Sequence, residues 1–141
     1  MTELRDGVGV TAPTRRMSLA SRPESVEVRR WTRGTLSAHV DTYTLVDVLL
    51  IVGELVGNAY RHTSSPRELR VTSSGVGVLI EVEDGDVDHP REMAVSADDW
   101  GGRGIQVLIE LAASWGVRVE GGGKVVWALL SHGEGPAPRP G

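Results

Sequence analysis

Between Asp41 and His62, apolar residues recur at three- and four-residue steps: Leu45, Leu49, Val52, Leu55, Val56 and Ala59. Such positions share one face only in an amphipathic helix. Asp41 or Thr42 is suited to cap it, and Ser64-Ser65-Pro66 stops it, because the residue before proline avoids helical geometry. A chain of 141 residues has room for one such domain and one core.

The flanking segments say what this helix packs on. Residues 69–72 and 76–83 are rich in β-branched side chains and separated by a Ser-Ser-Gly turn. In the second, Val78, Ile80 and Val82 alternate with Leu79, Glu81 and Glu83, so one face is apolar and the other mostly acidic. Periodicity vanishes between Asp84 and Gly102, and a loop of that length in a small domain is functional or mobile. Residues 105–115 read as a helix ended by Gly116. Residues 117–120 and 125–130 then form a hairpin around Gly121-Gly122-Gly123.

Upstream, Ser21-Arg22-Pro23-Glu24 predicts a helix start, with Ser21 as cap and proline in the first turn. That helix runs to about Ala38, with Val28, Trp31, Thr35 and Leu36 near one face, and Gly34 weakens it. The whole order predicts an α+β fold: a two-layer α/β sandwich with helices on one face of a mixed, mainly antiparallel sheet. Residues 1–20 and 132–141 have no period and read as tails around a domain at 21–131.

Composition narrows the function. The net charge of −4 argues against direct DNA binding, which leaves a basic footprint. Without cysteine there is no disulfide framework, thiol catalysis or cysteine zinc site. The longest apolar stretch, near Val46 to Val52, is broken by Asp47 and Gly53, so no membrane span is expected. Arg15-Arg16 precedes a polar segment rather than an export signal core, which makes the cytoplasm the expected location.

Three groups of residues carry chemistry. Glu54, Asn58 and His62 lie four apart on the long helix, each about 40° round from the last, at the edge of its buried stripe. Gly53 and Gly57 beside them each cost about 1 kcal/mol relative to alanine, which close approach of a ligand or backbone would justify. Asp84 ends a strand and is followed by Gly85, a place where a carboxylate either accepts a ligand hydrogen bond or simply forms the turn. Gly101-Gly102-Arg103-Gly104 precedes a helix start, where free N–H groups bind anions unless the glycines are only a hinge.

Other nucleotide and metal signatures fail. A Walker A loop would need glycine at 118 and Ser or Thr at 125, where Arg118 and Val125 stand. A dinucleotide fingerprint from Gly102 meets Val107 and lacks a preceding strand. Asp84, Asp86 and Asp88 imitate the first calcium ligands of an EF-hand, but His89 and Val95 occupy its glycine and glutamate positions.

In this order and spacing, residues 22–131 resemble the GHKL (histidine kinase/HSP90-like) ATPase superfamily, and more narrowly the single-domain anti-sigma-factor serine kinases of actinobacteria. Glu54, Asn58 and His62 match the N box, Asp84 the start of the G1 box, and Gly102-Arg103-Gly104 the G2 box. Trp115-Gly116-Val117 and the run from Gly122 to Trp127 also look like this group. The resemblance implies a Bergerat-type fold that binds ATP and Mg²⁺. It makes Asn58 the metal ligand, Glu54 the general base, Asp84 with Gly85 the adenine site, and Gly102, Arg103 and Gly104 the phosphate site. Residues 85–101 become a lid, and His62 either contacts phosphate or supports the helix end. Two positions depart from the pattern: Asp86 replaces a small residue of the G1 box, and Val125 replaces a threonine that helps bind adenine through water.

Two functions follow. One is a serine/threonine kinase acting on an anti-anti-sigma (STAS-type) partner while sequestering a sigma factor. The other is a non-catalytic, ATP-dependent interaction module. A homodimer is a further assembly to consider. A metal-dependent hydrolase without nucleotide lacks a ligand set.

Overall fold

The computed structural model describes residues 13–85, 108 and 110–131. Its elements in chain order are β1 (Thr14–Ser18), α1 (Ser25–Leu36), α2 (Thr42–His62), β2 (Pro66–Ser74), β3 (Gly77–Asp84), β4 (Ser114–Glu120) and β5 (Gly123–Ser131). The strands form one five-stranded sheet in the order β1-β2-β3-β5-β4, and each of these neighbours is antiparallel. Helix α2 packs on β2, β3 and β5, and α1 packs on α2. The α+β sandwich expected from the sequence is the observed architecture.

Strand alternation sets the core. Leu69, Val82, Val126 and Val117 lie in one cross-strand row, and Val71, Ile80, Ala128 and Trp115 in the next. Against these rows α2 buries Val48, Ile51, Val52 and Leu55, all at most 2% exposed. Each such side chain contributes about 1.5–3 kcal/mol of burial. Leu45 and Leu49, expected on that face, are only partly buried, because the buried stripe is centred further round, on Val48 and Ile51.

The far side of the sheet is an ion-pair lattice. Arg70 Nη1 donates to Glu83 Oε1 at 2.7 Å and to Glu68 Oε2 at 2.9 Å, while Arg118 pairs with Glu81. These arginines explain how Glu81, on the acidic edge of β3, is only 8% exposed. For Glu83 the largest influence is burial, which opposes ionisation. Hydrogen bonds from Arg70 and Arg67 overcome it and hold the carboxyl below its ordinary value of 4.5.

Three expectations need correction. Residues 14–18 are not part of a tail: they form β1, paired with β2 from Thr14↔Thr72 to Ser18↔Glu68, and Leu19 beyond them is fully buried. The polar alternation of an edge strand, open on one side, hides it from a search for apolar periodicity. Helix α1 starts at Ser25 rather than after Ser21, because Arg22 has φ +56° and its guanidinium donates to the carbonyls of Tyr60 (3.1 Å) and Thr63 (3.0 Å) at the end of α2. Those are carbonyls that a helix C-terminus leaves unsatisfied.

The third correction concerns residues 105–115. Leu108, Glu110 and Leu111 are helical, and the N–H of Ala112 still bonds back to Leu108, but that of Ala113 already bonds across to Leu129. Trp115 and Gly116 therefore belong to β4. Gly116 is there because the Trp127 ring lies across it: a Cβ would sit 3.0 Å from that ring. The hairpin after β4 is as expected, with Gly121 (φ +54°) and Gly122 (φ +79°) giving the two positive-φ positions of a tight two-residue turn. Of the two expected tails, 132–141 lies outside the described residues.

Asp41 caps α2, its carboxylate accepting from the N–H of Thr44 at 2.7 Å. Asp41→Ala is expected to lower stability by about 1 kcal/mol, measured by urea denaturation.

Candidate functional site

Helix α2 and strand β3 finish side by side. Thr63 follows α2, its N–H still bonded to Ala59 and its hydroxyl accepting from the N–H of Ser65 at 3.0 Å. The chain then turns into β2, where Pro66 pairs with Asp84, and the N–H of Gly85 donates to the carbonyl of Ser65 at 2.8 Å. The exit of α2, the start of β2 and the end of β3 are thus tied into one corner. Strand β5 enters beside it: Asp84 is the register partner of Lys124, and Gly123 lies so close that a Cβ there would meet the Asp84 carbonyl oxygen at 2.2 Å. Only glycine permits that approach.

Asp84 is the last residue of β3 and is 2% exposed. Both of its carboxylate oxygens accept from Lys124 Nζ, Oδ1 at 3.0 Å and Oδ2 at 2.8 Å, and the two side chains are 3% and 2% exposed. The alternation of β5 turns Lys124 to the same side of the sheet as Val126 and Ala128, where a charge is costly unless paired. In the sequence Lys124 stands out only as part of the glycine hairpin. The signal for its pairing is a lone basic residue on the inward side of a strand that is otherwise apolar there.

A second residue overlooked in the sequence is Arg67. Its guanidinium lies against Gly85 and Gly123, within 3.0 Å and 3.3 Å of where their Cβ atoms would be, and pairs with Glu83 at 3.1 Å. A partly exposed cation therefore overhangs the Gly85 turn.

On α2, Glu54 is half-buried, Asn58 is 1% exposed and His62, the last helical residue, is exposed. The single stripe of the sequence thus passes through three environments. Asn58 Oδ1 is fully buried, and the residue is engaged within the protein, as is Glu54. An amide oxygen and a carboxylate one turn apart form a hard-oxygen donor set, which suits Mg²⁺ completed by phosphate and water. No cluster of three or more His, Cys, Asp or Glu exists among the described residues. Val125 is fully buried, its side chain on the opposite side of the sheet from Lys124. Asp86, the residues expected at a phosphate site (Gly102, Arg103 and Gly104), and the expected lid beyond Gly85 lie outside the described residues.

A helix laid across an antiparallel sheet defines a two-layer α+β domain. The sequence matches the family model of the histidine kinase-like ATPase domain over residues 19–130, and the chain belongs to that family. No curated protein matches it. Membership supports an ATP-binding regulatory function. By length and composition α2 is apolar enough to cross a membrane, but it packs on the sheet as the core helix.

Two predictions follow from the charges at this corner. Removing one partner of a buried pair leaves the other unpaired, so Lys124→Met should destabilise the protein by about 3–5 kcal/mol, read from its urea midpoint. Because the folded Glu83 carboxyl ionises below 4.5, its stabilisation is complete above that pH and is lost as pH falls through the folded value. Glu83→Gln should therefore be less stable at pH 7 and lose less stability than the parent below pH 4.5, measured by denaturation across pH.

Proposed function

We propose that the protein binds Mg·ATP and works in the cytoplasm as a serine/threonine kinase of the anti-sigma-factor type, acting on an anti-anti-sigma partner. The observation that carries this reading is the placement of Glu54 and Asn58 one turn apart on α2 of a histidine kinase-like ATPase domain. Asn58 would hold Mg²⁺, which when bound offsets the negative charge of the phosphates. Glu54, half-buried on the same face, would orient an attacking hydroxyl and take its proton. His62, exposed at the helix end, is left the peripheral role of meeting phosphate or supporting that end.

Asp84 is the group for adenine: a carboxylate accepts from an amino group and meets a carbonyl oxygen in guanine. A carboxylate offers about four lone-pair directions, and Lys124 takes one on each oxygen. The adenine amino group would share Asp84 with Lys124 rather than displace it. That sharing is what favours the second reading, a non-catalytic module in which nucleotide only controls partner binding. A weakened base site and the loss of the threonine hydroxyl at Val125 both reduce nucleotide affinity without touching Glu54.

Two variants separate these readings. Calorimetry of Asn58→Ala should show weaker ATP binding that added magnesium does not restore; unchanged affinity would remove Asn58 from the metal site. Glu54→Gln should keep nucleotide affinity while phosphate transfer from labelled ATP to a co-purified partner falls by about 10²–10⁴. A parent protein that transfers nothing yet needs ATP to bind its partner is the module instead.

A further inference from the structure

A surface helix normally turns a charged face to water. Helix α2 does not. Opposite its buried side runs a stripe at three- and four-residue steps formed by Tyr43, Val46, Leu50, Gly53 and Gly57. Tyr43 is 66% exposed, Val46 51% and Leu50 52%. No charge interrupts this stripe over four turns until Arg61 at its end. The two glycines are not explained by close packing, since a Cβ at Gly53 would meet nothing within 4 Å and one at Gly57 only the tip of Arg61. Instead they lower the surface into a cavity of about 190 Å³ between α1 and α2, walled by Val28, Val56 and Tyr60 with Arg29 at its edge. Val26 of α1, 52% exposed, adds to the same apolar surface.

The rim is mainly basic. Within Ser25–Leu36, Arg29, Arg30 and Arg33 are exposed against a single exposed acid, Glu27, and Arg61 lies beside Gly57 on α2. The acids nearest the stripe, Asp47 and Glu54, are half-buried and engaged within the protein. A chain with a net charge of −4 therefore gathers positive charge around its one uncovered apolar helix face among the described residues.

We propose that this α1–α2 face docks an acidic amphipathic helix of a partner protein, with an apolar side chain entering the cavity and acidic residues meeting the arginines. Three occupants compete for such a surface, and its shape and charge favour one. A second copy would set arginine rim against arginine rim, which like charges oppose. An anionic membrane takes a helix laid flat with its apolar face inserted, whereas beside Gly53 and Gly57 this face opens into a cavity against α1. A helix supplies a knob for a concavity and acids for the rim. The proposal deepens the regulatory reading above, because it assigns that reading's protein partner a place on the outer face of α2, which Glu54 borders.

The test titrates isotopically labelled full-length protein, followed by NMR, with two synthetic helical peptides. Both carry leucine on one stripe; one has glutamate at the remaining positions and the other lysine. ATP affinity is measured on the same samples. The glutamate peptide should shift amides of α1 and α2 along the stripe and bind at least tenfold tighter than the lysine peptide. Arg29→Glu with Arg61→Glu should cancel that preference, and Leu50→Asp should weaken binding at least tenfold, with ATP affinity unchanged in both. No shift at millimolar glutamate peptide, equal shifts with both peptides, or shifts confined to the sheet would overturn the proposal. So would a dimer in sedimentation that Leu50→Asp dissociates, or Leu50-dependent binding to phosphatidylserine vesicles. Peptide binding by a parent protein that fails to bind ATP would leave this surface standing and remove the nucleotide reading instead.

Discussion

The contact between α2 and the sheet is the one on which everything else rests. Val48, Ile51, Val52 and Leu55 close over the inner rows of β2, β3 and β5, and little other apolar surface is available to a domain this small. That packing fixes the rotation of α2 about its own axis. Rotation decides that Asn58 is turned into the protein, that Glu54 is left at the boundary and that His62 emerges. It also decides that Leu50, Gly53 and Gly57 look outward. The polar site and the uncovered apolar face are two consequences of one helix orientation.

Charge is handled differently on the two sides of the sheet. On the outer side, Arg70 and Arg118 lace Glu68, Glu81, Glu83 and Glu120 into a lattice that solvent still reaches at its margins. Exposed pairs in such a lattice are individually weak. On the inner side, the pair of Asp84 with Lys124 is almost wholly excluded from water. It can persist only because the register of β3 and β5 places the two residues opposite each other, and because Gly123 lets the strands close at that point. In the reading proposed above, the same carboxylate serves the nucleobase, so the ammonium that satisfies it in the protein also orients it.

The corner itself is held from outside by Arg22. A positive φ at that residue turns its guanidinium onto the last carbonyls of α2 and over the Tyr60 ring at 5.3 Å, while the Tyr60 hydroxyl donates to the Pro23 carbonyl. Burial of Tyr60 raises its hydroxyl pKa, an effect that Arg22 partly offsets, so this hydroxyl keeps its proton and its donor role. The segment before α1 thereby steadies the end of α2, next to the turn at Gly85.

What the sequence by itself determined is the set of features with short-range causes. The period of α2, its Asp41 cap, the alternation in β3 and the glycine turn between β4 and β5 each follow from residues within a few positions of one another. Glu54, Asn58 and Asp84 could be named from spacing and resemblance for the same reason. What only the tertiary structure decided needs partners far apart in the chain. Strand β1 exists because β2 offers it an edge, 58 residues on at Thr14 and Thr72. Trp115 and Gly116 leave the helical pattern because β5 and the Trp127 ring lie alongside. Lys124 finds Asp84 across a separation of 40 residues, and the uncharged stripe of α2 is distinguished from a core face only when the sheet is seen to cover the other side. Local sequence records propensity and period, whereas the pairing of charges and the choice of which apolar face is covered are settled by packing.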